Sequence, residues 1–178
     1  MGTIDNLSSE EWSRIFDVNV RGYALMAKHL VPIFKQQQSG SIIQFASISG
    51  SIAQSDFVAY STSKAAILQM TKNLALDLGP YNIRCNSISP GCTCKLTCFF
   101  CFTSLNYVNI LVTPAMIKSI TSQNLSIDIF TKNYTDKQCL KRHGNPQEMA
   151  NMVVFLASDL CPFITGANLT IDGGYTII

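Results

Sequence analysis

Charge is scarce in this chain: Asp, Glu, Lys and Arg make up 13% of its 178 residues, against about a quarter in an ordinary domain. The formal net charge is only +2 and no run of lysines or arginines occurs, which excludes nucleic acid and acidic membrane surfaces as electrostatic partners. Long hydrophobic runs are missing too. The longest, Cys98 to Val112, carries Asn106 and Asn109 and is too short and too polar to span a bilayer. Met1-Gly2-Thr3-Ile4-Asp5 has neither the basic nor the apolar region of a signal peptide, and Ser8 does not fit myristoylation spacing. Sequons at Asn6, Asn124, Asn133 and Asn168 are therefore read as incidental. The seven cysteines (85, 92, 94, 98, 101, 139 and 161) are an odd number, which argues for free thiols over a disulfide framework. Together these absences predict a soluble, cytoplasmic, single-domain protein. Its 47% of hydrophobic residues are to be buried in its own core or against partner subunits.

Regular elements are readable along the chain. Ser8 followed by Glu11 is a capping box opening a helix. Apolar residues from Trp12 to Val31 then recur at spacings of three and four, with Pro32 as a candidate kink and an end in the polar run 35–39. Ser41 to Ala46 reads as a buried strand, and Tyr60 to Leu78 as a helix stopped by Gly79-Pro80. Ile83 to Ile88 is a second strand, closed by Ser89-Pro90-Gly91. Asn145-Pro146 caps a helix from Gln147 to about Ala157, and Asn168 to Ile171 is a last strand before the turn Asp172-Gly173-Gly174. Strands alternating with long helices predict βα units and a parallel sheet.

Within this frame, Tyr60-Ser61-Thr62-Ser63-Lys64 carries the chemistry. Tyr60 and Lys64 are four apart and share a helix face. Chance alone gives roughly 0.3 such pairs in a chain of this composition, so taken alone the pair is a solvated helix face. A lysine charge about 4 Å from a phenol is worth about 4 kcal/mol at an effective dielectric near 20. That is roughly three pKa units, which would bring the phenol towards neutrality. Such a group can exchange a proton at physiological pH. Ser47, thirteen residues upstream at the end of the first strand, can place its hydroxyl beside the phenol.

Further motifs add context: Asp17-Val18-Asn19-Val20, Asn86-Ser87-Ile88-Ser89-Pro90-Gly91, Thr113-Pro114-x-Met116, and Ile164-Thr165-Gly166 leading to Asp172-Gly173-Gly174. In this order and spacing, with Ser47 and the tyrosine–lysine motif, the chain resembles the short-chain dehydrogenase/reductase family over about 1–93 and 113–178. The resemblance implies an α/β fold, the C-terminal part of a doubly wound Rossmann-like parallel sheet with flanking helices. It implies an oxidoreductase using NAD or NADP on a small alcohol or carbonyl substrate. Tyr60 would be the general acid/base. Lys64 would lower its pKa and hold the nicotinamide ribose, and Ser47 would polarise the substrate oxygen. Asn19 would hold a helix kink and a water leading from Lys64 to solvent. Pro90 and Gly91 would line the nicotinamide pocket, and Thr113 would reach the carboxamide or a phosphate. A homo-dimer or homo-tetramer is implied, with the helices at 8–37 and 60–78 packing subunits together. His29 and His143 match no catalytic position and are read as structural.

Two departures stand against that pattern. None of the ten glycines forms the G-x-x-x-G-x-G phosphate loop of the family, nor is there the stretch that chooses NAD or NADP. The chain is therefore expected to be a single partial domain, 1–178, whose first strand would be an exposed sheet edge. A catalytically silent fragment, at most a partner of intact subunits, is the alternative reading. Residues 94–112 form an atypical insertion between Thr93 and Thr113. Cys92, Cys94, Cys98 and Cys101 offer a metal-knuckle reading, but structural zinc takes two separated thiol pairs, and no metal ligand is assigned. The insertion is read instead as translated intron: Cys-Lys is encodable as TGT-AAG, containing a GTAAG donor, and Leu-Val can contain a terminal TAG. Transcripts that always carry these codons in frame would contradict this.

Overall fold

The structure is a computed structural model and describes residues 2–93 and 132–178. Helix α1 spans Ser9–Phe16 and is capped by Ser8, whose hydroxyl accepts from the Glu11 N–H while the Glu11 carboxylate accepts from the Ser8 N–H. A five-residue π turn, Asp17–Arg21, joins it to α2, Gly22–Gln37. Strand β1 spans Gly40–Phe45, and a 3-10 turn, Ile48–Gly50, follows it. Helix α3 spans Val58–Leu78, two residues earlier than the tyrosine predicted to open it. Strand β2 is Ile83–Pro90, α4 is Pro146–Ala157 with a second capping box built by Asn145 and Glu148, and β3 is Asn168–Ile171.

The helical irregularity falls at Asn19, where the family resemblance placed a kink, and not at Pro32. Pro32 lies inside α2, which continues past it to Gln37. The break is at Asp17–Arg21, where the Asn19 amide donates to Ser63 Oγ of α3 at 3.0 Å. Tertiary pull on a polar side chain, with no proline or glycine to announce it, displaces the helical ladder there.

The three strands are parallel in the order β1-β2-β3, with Phe45 opposite Ile88 and Ser87 opposite Asn168. Among the described residues β1 is an edge, as the sequence implied. The central strand β2 is the most buried and carries Asn86, Ser87 and Ser89 inside the fold. Each is satisfied: Asn86 bridges Ile164 C=O and Ala167 N–H, and both serines donate to Asn168 Oδ1. Ile88, Met149, Leu156 and Cys161 form the core between sheet and α4. The carboxyl ends of all three strands point the same way and deliver Ser47, Pro90 and Asp172 to one edge of the molecule, where open α/β sheets bind ligands.

Among the described residues no helix is long and apolar enough to cross a membrane. Cys85, Cys92, Cys139 and Cys161 form no disulfide with one another, and no group of three potential metal ligands occurs among the described residues. Thr113, Cys94, Cys98, Cys101 and the insertion 94–112 lie outside the described residues.

Candidate active site

Ser47 terminates the rise of β1 and caps the 3-10 turn, accepting from the Ser49 N–H at 3.2 Å. The turn brings Gly50 onto α3 so closely that a Cβ there would lie 2.8 Å from the Lys64 carbonyl carbon. This contact sets the serine turn against the helical turn carrying Tyr60 and Lys64. The Ser47 hydroxyl acts on the Tyr60 phenol, favouring its ionised form, and the phenol ring meets Phe57 edge-on at 5.9 Å.

Lys64 is buried, 8% exposed. Its amine donates to the Phe45 carbonyl at 2.8 Å and stands 5.7 Å from the centroid of the Tyr60 ring. Burial pulls its pKa down to about 8. Tyr60 moves the other way: burial, reinforced by Tyr23 and only partly offset by the Ser47 hydroxyl, raises its pKa above that of a free phenol. The expected downward shift of Tyr60 by Lys64 is thus reversed in this arrangement. The amine is directed to a backbone carbonyl, and desolvation disfavours both charged forms.

Asn19 reaches the site indirectly. Its amide holds Ser63 Oγ, which in turn donates to the Tyr60 carbonyl at 2.7 Å, so the π turn braces the turn of α3 that carries Tyr60 and Lys64. Gly91 follows β2 and packs on Asp172, where a Cβ would come within 2.7 Å of its Cα; a close backbone approach, beyond any ligand, demands glycine here. Nearby, the buried Thr93 hydroxyl has no hydrogen-bond partner among the described residues. Asp172 orders the turn after β3, its carboxylate accepting from Gly174 N–H and from the N–H and hydroxyl of Thr176.

Sequence reasoning missed Tyr23 and Ser63. Tyr23 lies four residues after Asn19 and its ring centroid is 6.0 Å from the Lys64 amine; the helical spacing from Asn19 was the available signal, hidden because Tyr23 also fits the apolar stripe. Ser63 stood inside the tyrosine–lysine motif itself.

The donors present fit one end of a nicotinamide dinucleotide. Of the three N–H groups of Lys64, one is engaged at Phe45 among the described residues, leaving donors for the paired hydroxyls of a ribose. For the pyrophosphate there is no G-x-x-x-G-x-G sequence in the chain.

A family model described as enoyl-(acyl carrier protein) reductase matches residues 1–97 and 108–176; the gap between these blocks falls inside 94–112. Cyclopentanol dehydrogenase of Comamonas testosteroni is 32% identical over 173 residues, covering 97% of this chain and 60% of that protein. Dehydrogenase/reductase SDR family member 4 of Sus scrofa is 32% identical, covering 97% of this chain and 54% of that protein. A 4-hydroxyisoleucine dehydrogenase mutant, solved with NADH and succinate, superposes with a TM-score of 0.80 at 28% identity, covering 99% of this chain and 64% of the other. The chain thus spans little more than half the length of the curated relatives it matches. Its parallel sheet, the motifs that build its site and these matches agree: the chain belongs to the short-chain dehydrogenase/reductase family.

Proposed function

We propose that this chain carries the proton-transfer half of an NAD(P)-dependent oxidoreductase acting on a small alcohol or carbonyl. The observation that supports it is the buried Lys64 amine 5.7 Å from the centroid of the Tyr60 ring, with the serine turn packed against the same stretch of α3. The bound nicotinamide would supply or accept the hydride. Ser47 orients the substrate oxygen, and Tyr60 gives it a proton in reduction or takes one in oxidation. A raised pKa keeps the phenol protonated at neutral pH in the free chain, which suits the acid role. Lys64 holds the ribose hydroxyls, Asn19 braces α3, and Pro90 and Gly91 wall the nicotinamide side. Thr113 is assigned the carboxamide or a phosphate on the motif alone. The relatives named above for a cyclic alcohol and a hydroxy-amino acid support a hydroxyl-bearing substrate.

The test is reduction of NAD or NADP by a panel of small secondary alcohols. Tyr60→Phe is expected to slow it by about 10²–10⁴-fold, the range of one general acid/base; an unchanged rate would remove Tyr60 from the reaction.

A second reading is favoured by one observation, the lack of a glycine-rich phosphate loop in the sequence: the chain is catalytically silent and associates with intact subunits. Half a dinucleotide site loses the anchor that offsets the cost of binding. Association itself belongs to both readings. Val18, Leu25, Met26 and Ile33 are exposed along one side of the first helical segment, and we propose that this face pairs subunits. Sedimentation of the purified chain as a monomer at micromolar concentration would contradict that.

A further inference from the structure

Ser47 and Ser49 are both buried and meet twice across the serine turn. The Ser49 N–H donates to Ser47 Oγ, and the Ser47 hydroxyl donates to Ser49 Oγ, each at 3.2 Å. The Ser49 hydroxyl in turn donates to the side-chain oxygen of Gln54, a half-buried residue in the loop between the turn and α3. The first bond is the cap of the 3-10 turn. The other two form a chain from Ser47 through Ser49 to Gln54. An amide oxygen can only accept, and that fixes the direction of the chain. Ser49 commits its one proton to Gln54, so at its oxygen it can only accept from Ser47. Ser47 therefore commits its own proton to Ser49. Of its two lone pairs one takes the Ser49 N–H, which leaves the other for an incoming donor.

We propose that Gln54 is a positioning residue: through Ser49 it holds the Ser47 proton inward, so that Ser47 meets a substrate as an acceptor and the site receives a secondary alcohol more tightly than the matching ketone. This rests on the reading of Ser47 as the group that orients the substrate oxygen. An alcohol brings the proton that the remaining lone pair of Ser47 takes. A ketone oxygen can only accept, as can an ionised phenol, so to serve either one the Ser47 proton must leave Ser49. That turn costs about one net hydrogen bond, which weakens the ketone against the alcohol by roughly two- to tenfold. At 3.2 Å the link from Ser47 to Ser49 is long for a bond between hydroxyls, so it is the link that gives.

The test compares the full wild-type chain with Gln54→Leu, which removes the acceptor, and Gln54→Glu, whose carboxylate can only accept. Without cofactor, hydroxyl exchange is read from the serine ¹³Cβ signals in mixed H₂O and D₂O. The Ser49 hydroxyl should exchange slowly in wild type and Gln54→Glu, and about tenfold faster in Gln54→Leu. With cofactor, KM is measured for cyclohexanol and cyclohexanone. The ketone-to-alcohol ratio of KM should fall by roughly two- to tenfold in Gln54→Leu and hold in Gln54→Glu. If Gln54→Leu moves neither quantity, Gln54 only fills the loop and the proposal fails. If Gln54→Glu behaves like Gln54→Leu, the amide nitrogen faces Ser49, the chain runs the other way, and the proposal is overturned. Should Gln54→Leu not fold, Ser49→Ala removes the same acceptor from Ser47 and must lower the ratio likewise. A wild type that turns over neither compound, with the hydroxyl pattern as expected, would sink the proposed activity and leave the positioning by Gln54 standing. Turnover with an unshifted ratio would sink the role of Gln54 alone.

Discussion

Tyr60 and Lys64 lie one helical turn apart, and desolvation pushes their proton affinities in opposite directions. For Lys64, the folded value of about 8 lies below the ordinary lysine value of 10.5. Between those values the unfolded chain holds a proton that the folded chain has released, so stability rises with pH across that window. Below about 8 the amine is charged in both states and the full cost of burying it remains. We expect Lys64→Met to be more stable than wild type at neutral pH. That advantage should shrink by about 3 kcal/mol as the pH approaches 10.5. Urea unfolding of both proteins across the window measures it; parallel curves would show that the amine is not desolvated. The placement of Tyr60 and Lys64 one turn apart on α3 was legible in the sequence, because a four-residue helical spacing fixes it. The sign of the Tyr60 shift was not. It depends on where the lysine amine points, and a backbone carbonyl of Phe45 competes for that amine.

At the scale of elements, local signals and tertiary ones part company. The Ser8–Glu11 capping box and the Asn145 cap formed as read, since cap and helix start lie within one turn of sequence; the structure adds Glu148 to complete a second box. The end of α3 and the position of β3 were equally local. The π turn at Asp17–Arg21 had no local signal, because the partner of Asn19, Ser63, lies 44 residues away; only the family motif placed a kink there. Pro32 drew attention for the opposite reason: it is a strong local signal, and the helix absorbs it. The contact between the serine turn and α3 yields a sharper test. At Gly50 a Cβ would sit 2.8 and 2.9 Å from the Lys64 carbonyl carbon and the Ala65 nitrogen, backbone atoms that cannot rotate away. Gly50→Ala should cost about 1–3 kcal/mol in chemical denaturation, as overpacking does. It should also weaken the action of Ser47 on Tyr60, which a titration of the phenol would register as a further rise. A variant as stable as wild type would mean that turn and helix are not in direct contact.

Over the whole molecule, three parallel strands place Ser47, Pro90 and Asp172 along one line of strand ends, and the family follows from that arrangement and the motifs. The parallel sheet was legible from alternating strand and helix patterns. The closure of the β1 edge at Phe45 by Lys64 was not, because it pairs a helix side chain with a backbone carbonyl of another element. That closure ties the sheet edge to the group proposed to hold the ribose, so the binding state of Lys64 reports on the entire half-site. The most direct measurement is thermal unfolding with NAD, NADH, NADP and NADPH at millimolar concentration. A ligand at a hundred times its Kd stabilises by about 2.7 kcal/mol, which in a chain of this size raises Tm by roughly 5–10 °C. Wild type should show such a rise with at least one oxidised–reduced pair, and Lys64→Met should lose most of it. No rise with any of the four would contradict a nicotinamide site built on Tyr60 and Lys64.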